Sequence, residues 1–288
     1  MLKIVPLVLF AGAAAFLSTS TLRDARADAG FKIPVVTVHA KEFAFEMPKS
    51  LPAGQTSFRL VNDGTQIHHL TFIRLGEGKT AADFAEAMKG GPPPAWATMV
   101  GGPNAAIPGK SVEATLTLEP GNYLVACFIP SPGEEMPHAM KGMMQSLTVT
   151  APGVVQAGAT QAESAPDPKP DVHLELKEYG FTFSKPITAG KHTIHVMNQG
   201  AQDHEVVLVK LLPGKHAVDF AEWATTGMLK GAPPAVPMDG MAAMAKGRTA
   251  IFSGDFTPGT YAAVCFVGDA ADGKPHTAHG MTVEFEVK

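Results

Sequence analysis

An all-β protein made of two tandem Greek-key β-sandwiches, each with one short helical insertion, is the fold the sequence predicts. Three observations predict it. The chain repeats itself: Lys41-Glu42-Phe43-Ala44-Phe45 returns as Lys177-Glu178-Tyr179-Gly180-Phe181, and Asn62-Asp63-Gly64 returns as Asn198-Gln199-Gly200, both 136 positions later. Short runs rich in β-branched and aromatic residues recur through each half, the pattern of strands. Turn formers separate them, with 29 Gly and 24 Pro in 288 residues, which favours many short strands over a few long helices. A repeat of this length means two domains rather than a solenoid.

The elements follow in order. Lys3, an apolar run from Ile4 to Leu17 and the small-residue sites Ala25-Arg26-Ala27 and Ala27-Asp28-Ala29 form the pattern of a secretory signal peptide, residues 1–29. The run is shorter than the ~20 residues of a membrane span. The mature chain is therefore expected in the periplasm or secreted, with no membrane span. The first domain, 30–150, reads as strands at Val35–Val38, Thr56–Val61, His69–Leu75, Val112–Leu118, Tyr123–Phe128 and Ser146–Thr150. A helix is predicted over Ala81–Lys89, opening a Gly/Pro-rich excursion of no predicted shape. Residues 151–170 lack aromatic residues and any sustained apolar period and read as a linker. The second domain, 171–288, repeats the pattern, with strands at Val172–Leu176, His192–Val196 and Glu205–Leu211 and a helix over Ala217–Thr226. Beyond the helix the repeat offset grows from 136 to 138, so that Pro120-Gly121-Asn122-Tyr123 returns as Pro258-Gly259-Thr260-Tyr261.

Charge excludes one class of partner. With 23 Lys+Arg against 27 Asp+Glu, the chain lacks the basic balance that nucleic acid or an anionic membrane requires. Two cysteines do not make a disulfide scaffold, whereas 14 Met and 11 His supply soft and borderline metal ligands.

Each half carries a single Cys near the end of a late strand. Cys127 is followed by His138 and Met143, and Cys265 by His276 and Met281, both in the spacing C-x10-H-x4-M. Upstream, each half has one His after an Asn-x-Gly turn, His68 and His204. A thiolate, two imidazoles and a weak thioether form the trigonal set of a blue-copper site. Such a set suits both copper oxidation states, so little has to move when an electron arrives. The repeat also decides between rivals. Glu205, not a His, stands opposite His69, and neither Met140 nor Met144 has a Met counterpart where Met143 has Met281. His279 has no counterpart and reads as a loop residue. Met238, Met241 and Met244 could form a thioether track for Cu(I), but filling apolar gaps is the commoner use of Met. Buried structural thiols, or one disulfide between the domains, are the bland readings of the cysteines.

In these features each half resembles a cupredoxin. The Lys-Glu-Phe strand, the Pro-Gly-x-Tyr turn into the Cys strand and the His-x4-Met loop with Gly before Met carry the resemblance, which spans nearly all of 33–150 and 171–288. The His-x4-Met loop is similar to that of plastocyanins and copper nitrite reductases. The resemblance implies two type 1 copper sites, His68/Cys127/His138/Met143 and His204/Cys265/His276/Met281. It implies electron transfer with redox partner proteins, His138 and His276 being the exposed edges through which electrons pass. His69 and Glu205 depart from the pattern, because many cupredoxins have an Asn there that ties the two ligand segments together.

An enzyme is not expected. Ala126 and Phe128 flank Cys127, Val264 and Phe266 flank Cys265, and no His-x-His pair could hold a further copper. A lone Cys per domain excludes a centre with two bridging thiolates. Copper delivery or storage, and a copper-free binding module, are the alternatives to electron transfer.

Overall fold

The computed structural model describes residues 32–89, 91–152 and 163–288. The signal peptide expected at 1–29 and residues 153–162 of the linker lie outside the described residues. Strand periodicity sets the architecture: in Lys32–Lys41 (β1), Val36, Val38 and Ala40 point inward and are buried while Lys41 is exposed. The first repeat continues with Ala44–Glu46 (β2), Ser50–Pro52 (β3), Gly54–Asn62 (β4), Thr71–Leu75 (β5), the helix Ala81–Met88 (α1), Ala97–Gly101 (β6), Ser111–Leu118 (β7), Gly121–Ala126 (β8) and Met144–Thr150 (β9). After Glu163–Pro166 (β10), the second repeat runs Val172–Lys177 (β11), Gly180–Phe183 (β12), Gly190–Asn198 (β13), His204–Leu211 (β14), the helix Ala217–Ala224 (α2), Ala235–Met244 (β15), Thr249–Phe256 (β16), Gly259–Val264 (β17) and Thr282–Val287 (β18).

Two nine-stranded sheets result, β10-β1-β4-β7-β16-β13-β11-β12 with β2 against β1, and β18-β17-β14-β15-β6-β5-β8-β9-β3. Both contain strands of both repeats, and one hydrophobic cluster from Val36 to Val287 lies between them. The repeats meet through their own equivalent strands. In the first sheet Ala114 of β7 pairs with Phe252 of β16, its counterpart at the 138-residue offset. In the second, Val100 of β6 pairs with Met244 of β15, and Pro103 bridges its counterpart Met241. Strand edges that would otherwise stand open are satisfied by the other copy of the same edge.

The structure departs from one sequence expectation and gives shape to a segment that had none predicted. Part of the stretch read as linker, Glu163–Pro166, forms a strand along β1, with Ile33 paired to Ala165, because β1 offers it a free edge. The Gly/Pro-rich excursion contains β6 and β15, the strands of the junction. Its glycines mark close passage of backbones, not a loop. A Cβ on Gly102 (φ +150°) would lie 1.7 Å from the Leu70 carbonyl oxygen, and one on Gly240 (φ +149°) 2.0 Å from that of Val206.

Both helices form where the sequence places them. Thr80 and Asp83 cap α1 reciprocally, and Phe84 and Phe220 are the buried anchors of α1 and α2. At the start of the strands that lead to the cysteines, buried Tyr123 donates to the Glu119 carbonyl and Tyr261 to that of Thr257, a corner that pins each turn.

Candidate metal centres

Cys127 follows directly on β8 and Cys265 on β17, so each sulfur is held at the end of a central strand. Backbone hydrogen bonds then fold the ligand loop onto that strand in the same way twice. Cys127 N–H donates to the Met143 carbonyl, Ala139 to that of Cys127, His138 to that of Ile129 and Met143 to that of His138. Cys265, Thr277, His276 and Met281 make the corresponding bonds, the second to the Cys265 carbonyl and the third to that of Val267. A 3-10 turn carries each loop histidine, closed by Gly142 (φ +107°) or Gly280 (φ +88°) in the left-handed region.

The other histidine of each set comes from the opposite side. His68 and Ala106 exchange backbone hydrogen bonds, and His204 pairs with Met244. The Asn-x-Gly turns place them: fully buried Asn62 accepts from Gly64 N–H and donates to the Gln66 and Ala106 carbonyls. Asn198 does the same with Gly200, Gln202 and Met244.

The side chains converge. Cys127 Sγ lies 4.0 Å from His68 Nδ1 and 3.6 Å from His138 Nδ1. In the second repeat Cys265 Sγ is 3.5 Å from His276 Nδ1, which is 3.1 Å from His204 Nδ1. All six residues, and Met143 and Met281 with them, are fully buried. Both cysteines are free thiols, which removes the inter-domain disulfide.

The ring orientations test whether a metal fits. The Nε2 atoms turn away from the sulfur toward acceptors: His138 to Gln66 Oε1 at 3.1 Å, His204 to Glu178 Oε1 at 3.3 Å, His68 to Glu42 Oε1 at 3.6 Å and His276 to Asp269 Oδ2 at 3.8 Å. With the proton on Nε2, each Nδ1 directs a lone pair at the common point. Two such lone pairs at 3.1 Å repel unless a cation lies between them. Donors around a first-row ion bonded at about 2.0–2.3 Å sit roughly 3.3–3.7 Å apart, close to these separations. The residues therefore fit a thiophilic metal.

Electrostatics agree. Burial pushes the Cys127 thiol up to about 12 and the Cys265 thiol higher still, so without a metal both stay protonated. Burial lowers His138 to about 4 and depresses His68, His204 and His276, keeping the imidazoles in the neutral, ligating form. Burial would raise Glu42, but the N–H groups of Thr65 and Gln66 hold it near 2, so it faces His68 as a carboxylate.

Glu42 and Glu178 were not singled out from the sequence, although the repeated Lys-Glu-aromatic motif contains both. The aromatic that follows each packs edge-on against the loop histidine: Phe43 on His138 with ring centres 5.2 Å apart, Tyr179 on His276 at 5.3 Å. This cover corrects the expectation of exposed histidine edges. His138 and His276 are wholly inaccessible, shielded by Phe43 and Gln66 in one repeat and by Tyr179 and Asp269 in the other.

His69 and Glu205 perform the tying that the resemblance assigned to Asn. Phe128 N–H donates to His69 Nε2 (2.7 Å) and Phe266 N–H to Glu205 Oε1 (3.0 Å), linking the residue after each Cys to the residue after each upstream His. His279 stacks on Tyr179 and pairs with Asp272. Met241 and Met244 are buried in the shared core.

The chain matches no protein-family model and no curated protein. Among solved structures it is similar to a dithionite-reduced auracyanin from the photosynthetic bacterium Roseiflexus castenholzii, at 27% identity over 41% of this chain and 97% of that one, TM-score 0.28. It is similar to a copper nitrite reductase from Nitrosomonas europaea at 15% identity over 88% and 93%, TM-score 0.26. A multicopper oxidase follows at 14% over 88% of each chain, TM-score 0.25. The last two are enzymes, which conflicts with the expectation of a non-enzyme. That expectation rested on patterns local in sequence, the neighbours of each Cys and His-x-His pairs, whereas one fold hosts carriers and catalysts by assembling sites from residues remote along the chain. Strand order, the paired Tyr corners and the two His–Cys–His clusters give this protein a cupredoxin-like fold in two repeats.

Proposed function

We infer that each repeat holds one type 1 copper, through His68, Cys127, His138 and Met143 in the first and His204, Cys265, His276 and Met281 in the second. We further infer that the protein exchanges electrons with redox partner proteins outside the cytoplasm. A single observation carries the reading: a buried thiol and two Nδ1 lone pairs converge twice in one chain. Copper held there would alternate between two oxidation states, taking or giving one electron.

The chain's own residues do the rest. Each thiol loses its proton on binding, since only the thiolate ligates. The Gln66 amide and the Glu178 carboxylate, in hydrogen-bond contact with His138 Nε2 and His204 Nε2, fix which nitrogen of those rings carries the proton, while Glu42 and Asp269 face His68 and His276 only as nearby negative charges. Hydrogen bonds from His69 N–H to Cys127 Sγ (3.5 Å) and from Glu205 N–H to Cys265 Sγ (3.4 Å) stabilise negative charge on sulfur. Full burial excludes water as a ligand. Among the described residues no helix is long and apolar enough to cross a membrane.

Copper titration followed in the visible region tests this. The wild type should take up two coppers, each with an intense thiolate-to-metal charge-transfer band. Cys127→Ser should remove one band, Cys265→Ser the other, and the double variant should be colourless. A copper-loaded wild type without such a band refutes the assignment.

A further inference from the structure

Asn104 has no counterpart of its kind, since Ala242 stands at its place in the second repeat. It is nearly inaccessible and lies just beyond Pro103, where the repeats bridge each other. Its amide touches both metal centres through one residue on each side. Oδ1 lies 3.2 Å from His69 Nδ1, and Nδ2 lies 3.3 Å from Glu205 Oε2, 3.2 Å from the Val206 carbonyl and 3.4 Å from that of Met241.

The donors can be assigned without ambiguity. Three acceptors surround one end of the amide, so that end is the NH2, and the oxygen faces His69. His69 Nε2 accepts from Phe128 N–H, so the His69 proton sits on Nδ1 and is donated to Asn104. Donation therefore converges on Glu205: Phe128 N–H to His69, His69 to Asn104 and Asn104 to Glu205 from one side, and Phe266 N–H to Glu205 from the other. Its two ends are the residues after Cys127 and Cys265. The backbone N–H groups of His69 and Glu205 donate to the two sulfurs themselves. His69 and Glu205 are both buried, so no water competes for these bonds, and each bond polarises the next.

We propose that the His69–Asn104–Glu205 bridge couples the two centres, so that filling one raises the affinity of the other. This rests on the two-site reading above. Metal at the first site fixes the Cys127 thiolate and the His69 segment that donates to it. That segment positions Asn104, which in turn holds Glu205, the residue after His204 on β14, whose backbone N–H donates to the Cys265 sulfur. Ordering achieved by the first ion need not be repeated for the second. Linkage makes the effect reciprocal. His69, Asn104 and Glu205 act here as positioning residues.

The test measures Cu(I) affinity by competition with a chelator. Cys265→Ser and Cys127→Ser give the affinity of each site with the other disabled, and the wild type gives the affinity for the second ion. The second ion should bind at least about fivefold more tightly than the single-site values, the lower range of typical coupling. Asn104→Leu, which keeps the volume and removes every amide bond, should bring this factor to about one. Glu205→Gln provides a second variant that places an NH2 against a donor of the bridge and retains shape. A wild-type factor of one, or a factor unchanged in both folded variants, overturns the proposal and leaves two independent sites. Failure of any site to bind copper overturns both it and the function proposed above.

Discussion

Asn62 offers the sharpest energetic test of how the first centre is assembled. Its side chain is fully buried and makes three hydrogen bonds, one accepted from Gly64 and two donated to the Gln66 and Ala106 carbonyls. The Ala106 carbonyl keeps a second donor, His68 N–H, whereas among the described residues the Gln66 carbonyl has Asn62 alone. At about 1 kcal/mol for each net bond, Asn62→Ala should destabilise the protein by roughly 3 kcal/mol. That is about a hundredfold in the unfolding equilibrium. The side chain of neighbouring Asp63 makes an exposed contact with His39, and its backbone bond to the Ala40 carbonyl survives truncation, so Asp63→Ala should change stability by no more than about 0.5 kcal/mol. Urea unfolding of the copper-free proteins measures both, read as midpoint shifts at constant slope. The Asn62 variant should also bind copper more weakly at the first site, because the turn it holds leads directly to His68. A loss below about 1 kcal/mol, or equal losses for the two variants, would show that the turn is held by something other than the Asn62 amide.

Two further outcomes follow from other parts of the structure. Burial raises the Glu205 carboxyl from its ordinary 4.5 to about 7, so the folded protein keeps a proton that the unfolded chain releases earlier. The stability contributed by this group is complete below pH 4.5 and lost as the pH rises through 7, roughly 3 kcal/mol over that window. His69 and His138, held near 4 by burial, act in the opposite sense as the pH falls. The difference between wild type and Glu205→Gln in copper-free unfolding isolates the first effect, and a flat difference from pH 4.5 to 7 would contradict it. At the junction, Gly102→Ala must displace the Leu70 carbonyl and should cost more than about 3 kcal/mol, whereas Gly109→Ala, left-handed at φ +72° but facing open space, should cost only about 1–2. Equal thermal midpoints for the two variants would remove the close passage as the reason for the glycine.

Much of the candidate centre was legible in sequence because its residues lie where the chain itself marks them. Cys127, His138 and Met143 share one strand and its loop, and a second copy in the same spacing separates ligand from bystander. The strands were legible for a similar reason, since a half-buried strand writes its inward face as alternation. Duplication exposes what both copies keep, and it is silent where they differ. Asn104, opposite Ala242, therefore carried no signal, nor did the difference between His69 and Glu205 show that both serve one tie. Glu42 and Glu178 were repeated but gained meaning only once folding brought them to the far side of the imidazoles.

What sequence by itself determined is the set of local facts: two copies, all-β, and a thiol, two imidazoles and a thioether in each. Tertiary structure alone decided what happens between the copies. Whether two sandwiches hang from a linker or share their sheets depends on which edges remain open after folding, and open edges pair through backbone groups that every residue carries alike. Side-chain pattern does not encode that choice. Burial of the loop histidines under Phe43 and Tyr179, and the meeting of both centres at one amide, follow from the same packing.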